Sequence, residues 1–140
     1  MKTAKMRKGR DAALAAKARV GAENRPGMCK QFVRLDVFAI LTSRSGSAAE
    51  CWRETKYKKK PKNINDTPPR VPAYFNTGRN GHVVFTIGKD SHGRRLCVSV
   101  DVQDSDRDGR REIGIVPLEN LVSWGPYLGY GLDFDGVLIV

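Results

Sequence analysis

Long apolar runs are missing from this 140-residue chain: none approaches the roughly 20 residues that a bilayer-crossing helix needs. The first residues, Met1-Lys2-Thr3-Ala4-Lys5-Met6-Arg7-Lys8, are basic and lack the apolar core of a secretory signal, so the sequence predicts a protein made and first kept in the cytoplasm. Cysteine is sparse. Cys29, Cys51 and Cys97 are odd in number and widely spaced, which argues against a disulfide framework. There is no Cys-x-x-Cys, and the only two histidines stand ten residues apart, so the ligand spacing of a zinc site is lacking. Acidic residues are also scarce: 15 Asp and Glu against 25 Lys and Arg leave a net charge of +10.

The positive excess is clustered, in Lys2 to Lys30 and in Arg53 to Lys62 with its Lys58-Lys59-Lys60 run. Such patches suit polyanions, whether nucleic acid, an anionic membrane surface or the phosphate polymers of a bacterial wall, and equally suit a solvated face that keeps the chain soluble. Aromatics are not interleaved with the basic runs and no nucleic-acid-binding motif is present, which argues against nucleic acid as the partner.

The order of elements predicts an α+β fold, with N-terminal helices packed on an antiparallel sheet. Asp11 to Ala22 is rich in helix formers and is closed by Gly21 and Asn24-Arg25-Pro26-Gly27. From Met28 to Leu41, apolar residues recur at three- and four-residue spacings, as on an amphipathic helix. Ser47-Ala48-Ala49-Glu50 has the form of a capping box opening a third helix to about Tyr57. Lys58 to Pro72 reads as an irregular connector. Strands are expected at Val71–Phe75, His82–Gly88, Leu96–Val102 and Ile113–Val116, a short helix at Pro117–Trp124, and closing strands at Tyr127–Tyr130 and Gly136–Val140. Residues 1–25 read as a basic helical arm and 26–140 as the domain proper.

Two residues carry the chemistry. Cys29 opens the second helix just after Pro26-Gly27, and His82 opens a strand 53 residues later. A helix N-terminus carries partial positive charge that lowers a thiol pKa, and an imidazole on the sheet can serve as its base. Taken singly, each also reads as an ordinary core residue. Geometry adds a third member. If His82–Gly88 and Arg95–Val102 form a symmetric hairpin, facing residue numbers sum to 183 and Asp101 lies opposite His82, close enough to hold the imidazole. A two-residue slip would put Ser99 or Gln103 there instead, so Asp101 is the first choice and Ser99 the second. The alternation puts Val83, Phe85 and Ile87 with Leu96, Val98, Val100 and Val102 on one aliphatic face, and His82 with Ser99 and Asp101 on the other. Backbone N–H groups at the start of the Cys29 helix could receive a tetrahedral oxyanion. Cys51 and Cys97 read as core thiols and His92 as solvated.

In this order and spacing, the chain resembles the CHAP domains, the cysteine, histidine-dependent amidohydrolases and peptidases, closest to phage-encoded lysins of Gram-positive, particularly actinobacterial, hosts. Gly27-Met28-Cys29-Lys30-Gln31-Phe32-Val33-Arg34 resembles the nucleophile helix, Ala48-Ala49-Glu50-Cys51-Trp52 the helix after it, Pro68 to Phe75 the proline-rich approach to the sheet, and Gly81-His82-Val83-Val84 the histidine strand. Ser99-Val100-Asp101-Val102 falls where the family has its third polar residue, and Trp124-Gly125-Pro126-Tyr127-Leu128-Gly129-Tyr130 resembles a closing segment of the phage subset. The likeness runs from about Pro26 to Val140. Met28 departs from the glutamine that many members carry before the cysteine, and a separate Glu and Asn after the histidine are not matched.

The resemblance implies a papain-like fold, a Cys29-His82-Asp101 mechanism without a cofactor, and hydrolysis of amide bonds in peptidoglycan. The cut would fall in the stem peptide, in the cross-bridge or between muramic acid and L-Ala. Anionic wall polymers and virion tail proteins are the further partners it implies. The protein would be made in the host cytoplasm and reach the wall after release, or be carried in the virion. The alternative is a phage structural or nucleic-acid-binding basic protein that keeps the fold without catalysis. Finally, Asp104-Ser105-Asp106-Arg107-Asp108-Gly109 copies the first half of a calcium-binding loop, but its twelfth position is Ile115 and Arg110-Arg111 oppose a cation, so it reads as an acidic turn rather than a site of Asp104, Asp106 and Asp108 on calcium.

Overall fold

Alternating apolar residues over 71–103 and 112–131 build the sheet around which the rest of the chain packs. The computed structural model describes residues 6–23, 28–41, 43, 45–103 and 112–139. Its main sheet has six antiparallel strands: β1 (Lys58–Lys59), β2 (Pro72–Phe75), β3 (His82–Lys89), β4 (Arg95–Gln103), β5 (Glu112–Pro117) and β6 (Tyr127–Gly131), in spatial order β1-β6-β2-β3-β4-β5. A separate hairpin joins β7 (Asp133–Phe134) and β8 (Val137–Leu138). The helices are α1 (Gly9–Ala18), α2 (Cys29–Gln31), which widens into a π-helical stretch over Phe32–Val37, and α3 (Ala48–Glu54). The fold is therefore α+β.

Each face of the sheet carries its own core. Val83, Phe85, Ile87, Val98 and Val100 pack under the helices with Ala12, Ala16, Phe32, Val33 and Cys51. The opposite face, expected to be the mixed one, is also apolar: Ala73, Phe75, Val84 and Cys97 are covered by Leu118 and Leu121 of a 3₁₀ turn, Leu118–Ser123, and by Tyr127. Residues expected as a basic N-terminal arm join the first core, since α1 buries Ala12, Ala13 and Ala16 in it. The chain after α1 then bonds to β5, with Gly21 N–H donating to the Ile113 carbonyl at 2.8 Å and Ile113 N–H to that of Ala22 at 2.9 Å. That pairing ends the first helix four residues before the expected Ala22.

Other boundaries moved for local reasons. The second helix stops at Val37 rather than Leu41 because it over-widens: Phe38 N–H bonds the Val33 carbonyl, five residues back, and Ala39 turns left-handed at φ 55°. In the third, Ser47 Oγ accepts from Glu50 N–H at 3.2 Å, as the capping box predicts, while the Glu50 carboxylate accepts from Gly46 N–H at 3.1 Å. The helix closes at Glu54, where Thr55 hydrogen-bonds back to the Cys51 carbonyl. The supposed connector contributes the edge strand β1, paired with β6, and a 3₁₀ turn at Ile64–Asp66.

The central hairpin follows the expected register where it matters: Phe85 faces Val98 and Thr86 faces Cys97, both summing to 183. The turn end shifts by one, pairing Lys89 with Arg95. Farther along β4, the partners on β5 jump between Ser99↔Gly114 and Gln103↔Glu112, and Asp101 takes a left-handed φ of 63°. This is a bulge, and it flips the strand: Val100 lies in the helix-side core while Val102 packs against the other one. The uniform aliphatic face expected through Val102 therefore ends at Val100.

Candidate active site

His82 occupies the first position of β3, where the strand leaves the β2–β3 loop. Gly81 sets that exit. Its φ of +68° suits glycine, and a Cβ there would come within 2.9 Å of the Ala49 backbone nitrogen. The loop is tied to α3 by Ala49 N–H donating to the Asn80 carbonyl at 2.8 Å. Cys29 arrives from the helix side at the first residue of α2. Cys29, His82 and Asp101 line one cleft of about 330 Å³, closed by Ala48 at the start of α3 and its capping residue Ser47, by Asn80 and Gly81 from the loop, and by Trp124.

The imidazole is held on two sides. Its Nε2 lies 2.9 Å from Ser99 Oγ, and Ser99 is fully buried with its hydroxyl also donating to the Val100 carbonyl at 2.9 Å. In the 183 register Ser99 is the diagonal neighbour of His82 on the same face, within reach of a long side chain. Ser99, the second choice from sequence, thus makes the contact first assigned to Asp101. The physical reason is the bulge, which takes Asp101 out of regular pairing. Asp101 still lines the cleft, and its charge acts on both Cys29 and His82. On the other side, the Trp124 indole meets the His82 ring edge-on, with centroids 5.0 Å apart.

Burial dominates the electrostatics. It pushes the His82 imidazole down to about 4, with the Asp101 carboxylate pulling the opposite way. It also pushes the Cys29 thiol above its ordinary range, which hydrogen bonds from backbone N–H groups of Val83, Lys30 and Cys29 itself partly offset. The lowering expected from the helix start is present as the Lys30 and Cys29 N–H groups, with Val83 of β3 adding the largest single share, but desolvation outweighs it. Both shifts favour the uncharged forms at neutral pH, a thiol and an imidazole that line the same cleft.

Three features of the site's surroundings carried no role from sequence. Trp124 is one; it was visible only as part of a Trp-Gly-Pro segment. Gly125 lets that segment dock, because a Cβ there would collide with the Asn76 carbonyl, and Asn76 N–H bonds the Pro126 carbonyl at 2.9 Å. The third is a buried ion pair behind the cysteine. Lys30 Nζ lies 2.7 Å from Asp135 Oδ2 and donates to Ser43 Oγ and the Ser45 carbonyl, while Ser45 Oγ bonds the other oxygen of Asp135. The two partners are 105 positions apart, so no local signal could reveal them.

Cys51 and Cys97 are buried core thiols and His92 is exposed, as expected. Asp104, Asp106 and Asp108 lie outside the described residues. Among the described residues no three His, Cys, Asp or Glu side chains cluster as metal ligands, and no helix is long and apolar enough to cross a membrane. Comparison with family models, curated proteins and solved structures finds no match to this chain.

Proposed function

We propose that this cleft is the active centre of a CHAP-type, papain-like cysteine hydrolase that cleaves amide bonds in peptidoglycan, as an endopeptidase or an N-acetylmuramoyl-L-alanine amidase of phage origin. The observation that carries the reading is the meeting of Cys29 and His82 in one cleft with a buried hydroxyl on His82 Nε2. With Ser99 on Nε2, Nδ1 is the ring nitrogen left to serve the thiol.

Because both groups start uncharged, the reaction opens with a proton transfer that the raised thiol and the lowered imidazole make uphill. His82 takes the thiol proton as Cys29 Sγ bonds the substrate carbonyl carbon, whose π electrons move to oxygen. First-turn N–H groups of α2, which have no intrahelical acceptor, favour that oxyanion. The imidazolium, steadied by the Asp101 charge, protonates the leaving nitrogen as the C–N bond breaks. Water, deprotonated by His82, then attacks the thioester carbonyl. The C–S bond breaks, and the thiol recovers its proton. Trp124 walls the imidazole from solvent. Ser99 and Trp124 are positioning residues in this scheme.

Basic clusters suit retention on anionic wall polymers, and action follows release from the host cytoplasm or delivery by the virion with its tail proteins. Loss of turbidity and release of new amines from purified Gram-positive peptidoglycan, for wild type beside Cys29→Ala, tests the reading. Activity in wild type alone supports it. One observation favours the alternative of a basic structural or nucleic-acid-binding phage protein without catalysis, namely the upward-shifted thiol; inactivity of wild type on several walls, with salt-sensitive DNA binding, would favour that alternative.

A further inference from the structure

A second concavity, about 390 Å³, adjoins the cleft and shares two of its walls, Ala48 and Gly81. One side is a single face of α3, presenting Ala48, Ala49, Trp52 and Arg53 at helical spacing, and the other is the β2–β3 loop with Arg79. The floor is apolar, from Tyr74, Phe75 and Leu128. Among the described residues the charge of this groove is one-sided: no Asp or Glu lines it, Arg53 and Arg79 are both exposed, and no carboxylate pairs with either. Outside the lining, the Lys58 ammonium lies 5.2 Å from the centre of the Trp52 ring.

We propose that this groove is a substrate subsite that takes the carboxylate-bearing peptide arm of the molecule whose amide is presented to Cys29. The inference rests on the hydrolase reading above, and it adds a substrate class: an acidic peptide rather than a neutral one. Spacing fixes where the carboxylate falls. From Ala48, at the junction, to Arg53 the helix rises about 7.5 Å at 1.5 Å per residue, which an extended peptide covers in about two residues. The apolar floor and the Trp52 face accommodate the backbone and methyl groups of that arm, and the guanidiniums of Arg53 and Arg79, one on each side of the groove, favour its carboxylate.

The test uses the full chain carrying Cys29→Ala, so that binding is read without turnover. The probes are the tetrapeptide L-Ala-D-Glu-L-Lys-D-Ala with free carboxylates and its fully amidated counterpart, titrated by calorimetry and by NMR of the Trp52 indole. The free acid should bind about tenfold more tightly than the amide, and Arg53→Gln or Arg79→Gln, with circular dichroism unchanged, should remove most of that difference. The Trp52 indole signal should shift with the acid. Equal affinity for the two probes, no binding of either, or an unchanged preference in both arginine variants would overturn the inference. Charge-dependent binding in a protein that hydrolyses no wall would instead sink the hydrolase reading while leaving the groove as an acidic-peptide site. Hydrolysis with no charge preference would do the reverse.

Discussion

Removing the negative partner of the buried ion pair behind Cys29 should be among the most damaging isosteric changes in this protein. Lys30 and Asp135 side chains are 8% and 0% exposed, and Lys30 Nζ sits 2.7 Å from the carboxylate. Asp135→Asn keeps the shape and the left-handed φ of 53° that Asn tolerates, but it removes the charge and one of the two oxygens that accept from Lys30 Nζ and Ser45 Oγ. Lys30 retains Ser43 Oγ and the Ser45 carbonyl as acceptors, but its ammonium becomes uncompensated in the interior. Breaking one side of such a pair costs about 3–5 kcal/mol, against a total stability of about 5–15 kcal/mol for a domain of this kind. For this chain length the midpoint of thermal unfolding should fall by roughly 10–20 °C. Because an ion pair in the interior carries a large desolvation cost, Lys30→Met combined with Asp135→Asn should recover most of the loss. Urea and thermal denaturation of wild type, both single variants and the double variant give the coupling energy. A loss below about 1 kcal/mol for Asp135→Asn would show a pair that is solvated and weak, as at an open surface, and would refute the reasoning.

Three further outcomes follow from the site. His82 is held near 4 in the folded protein against an ordinary 6.5, so the unfolded chain binds the extra proton between those values. Stability should therefore be complete above about pH 6.5 and fall by about 3 kcal/mol as pH drops toward 4, in urea titrations at stepped pH; a flat response would show that His82 is solvated. Ser99→Ala deletes the 2.9 Å contact to Nε2 and should cost about 1–3 kcal/mol of stability. On an active wall substrate it should lower kcat about tenfold or more with KM little changed, and more than Asp101→Asn does; the opposite ranking would return the orienting role to Asp101. Gly81→Ala combines a φ of +68° with a 2.9 Å approach to the Ala49 nitrogen and should destabilise by about 2–4 kcal/mol, measured by thermal melts; near-wild-type stability would mean that the loop yields.

Much of the sheet could be read from the sequence because its signals are local and period-two. Val83, Phe85 and Ile87 against Val98 and Val100 fixed both the hairpin and its 183 register, since a one-residue slip would have turned His82 into the wrong face. The start of α3 was likewise visible in Ser47 and Glu50, four consecutive residues with a known hydrogen-bond pattern. What escaped was non-local. A bulge at Asp101 depends on the pairing of β4 with β5, and nothing in Ser99-Val100-Asp101-Val102 announces an extra residue. Strand β1 is two lysines that pair only because β6 lies beside them. Pro117–Trp124 reads as a short helix, but the second core that its Leu118 and Leu121 close exists only once Ala73, Phe75, Val84 and Cys97 are brought under them. The cysteine and histidine of the site were legible as residue types in order; their electrostatic state was not, because burial sets it and burial belongs to the fold.

The most direct measurement is the intact and peptide-mapped mass of the protein after rapid acid quench during incubation with peptidoglycan fragments, in wild type and Cys29→Ala. The account predicts an acyl adduct on the peptide containing Cys29, sensitive to hydroxylamine as a thioester is, together with loss of both adduct and hydrolysis in the variant while its circular dichroism is retained. Undiminished hydrolysis by Cys29→Ala, with no adduct at that position in wild type, would contradict it.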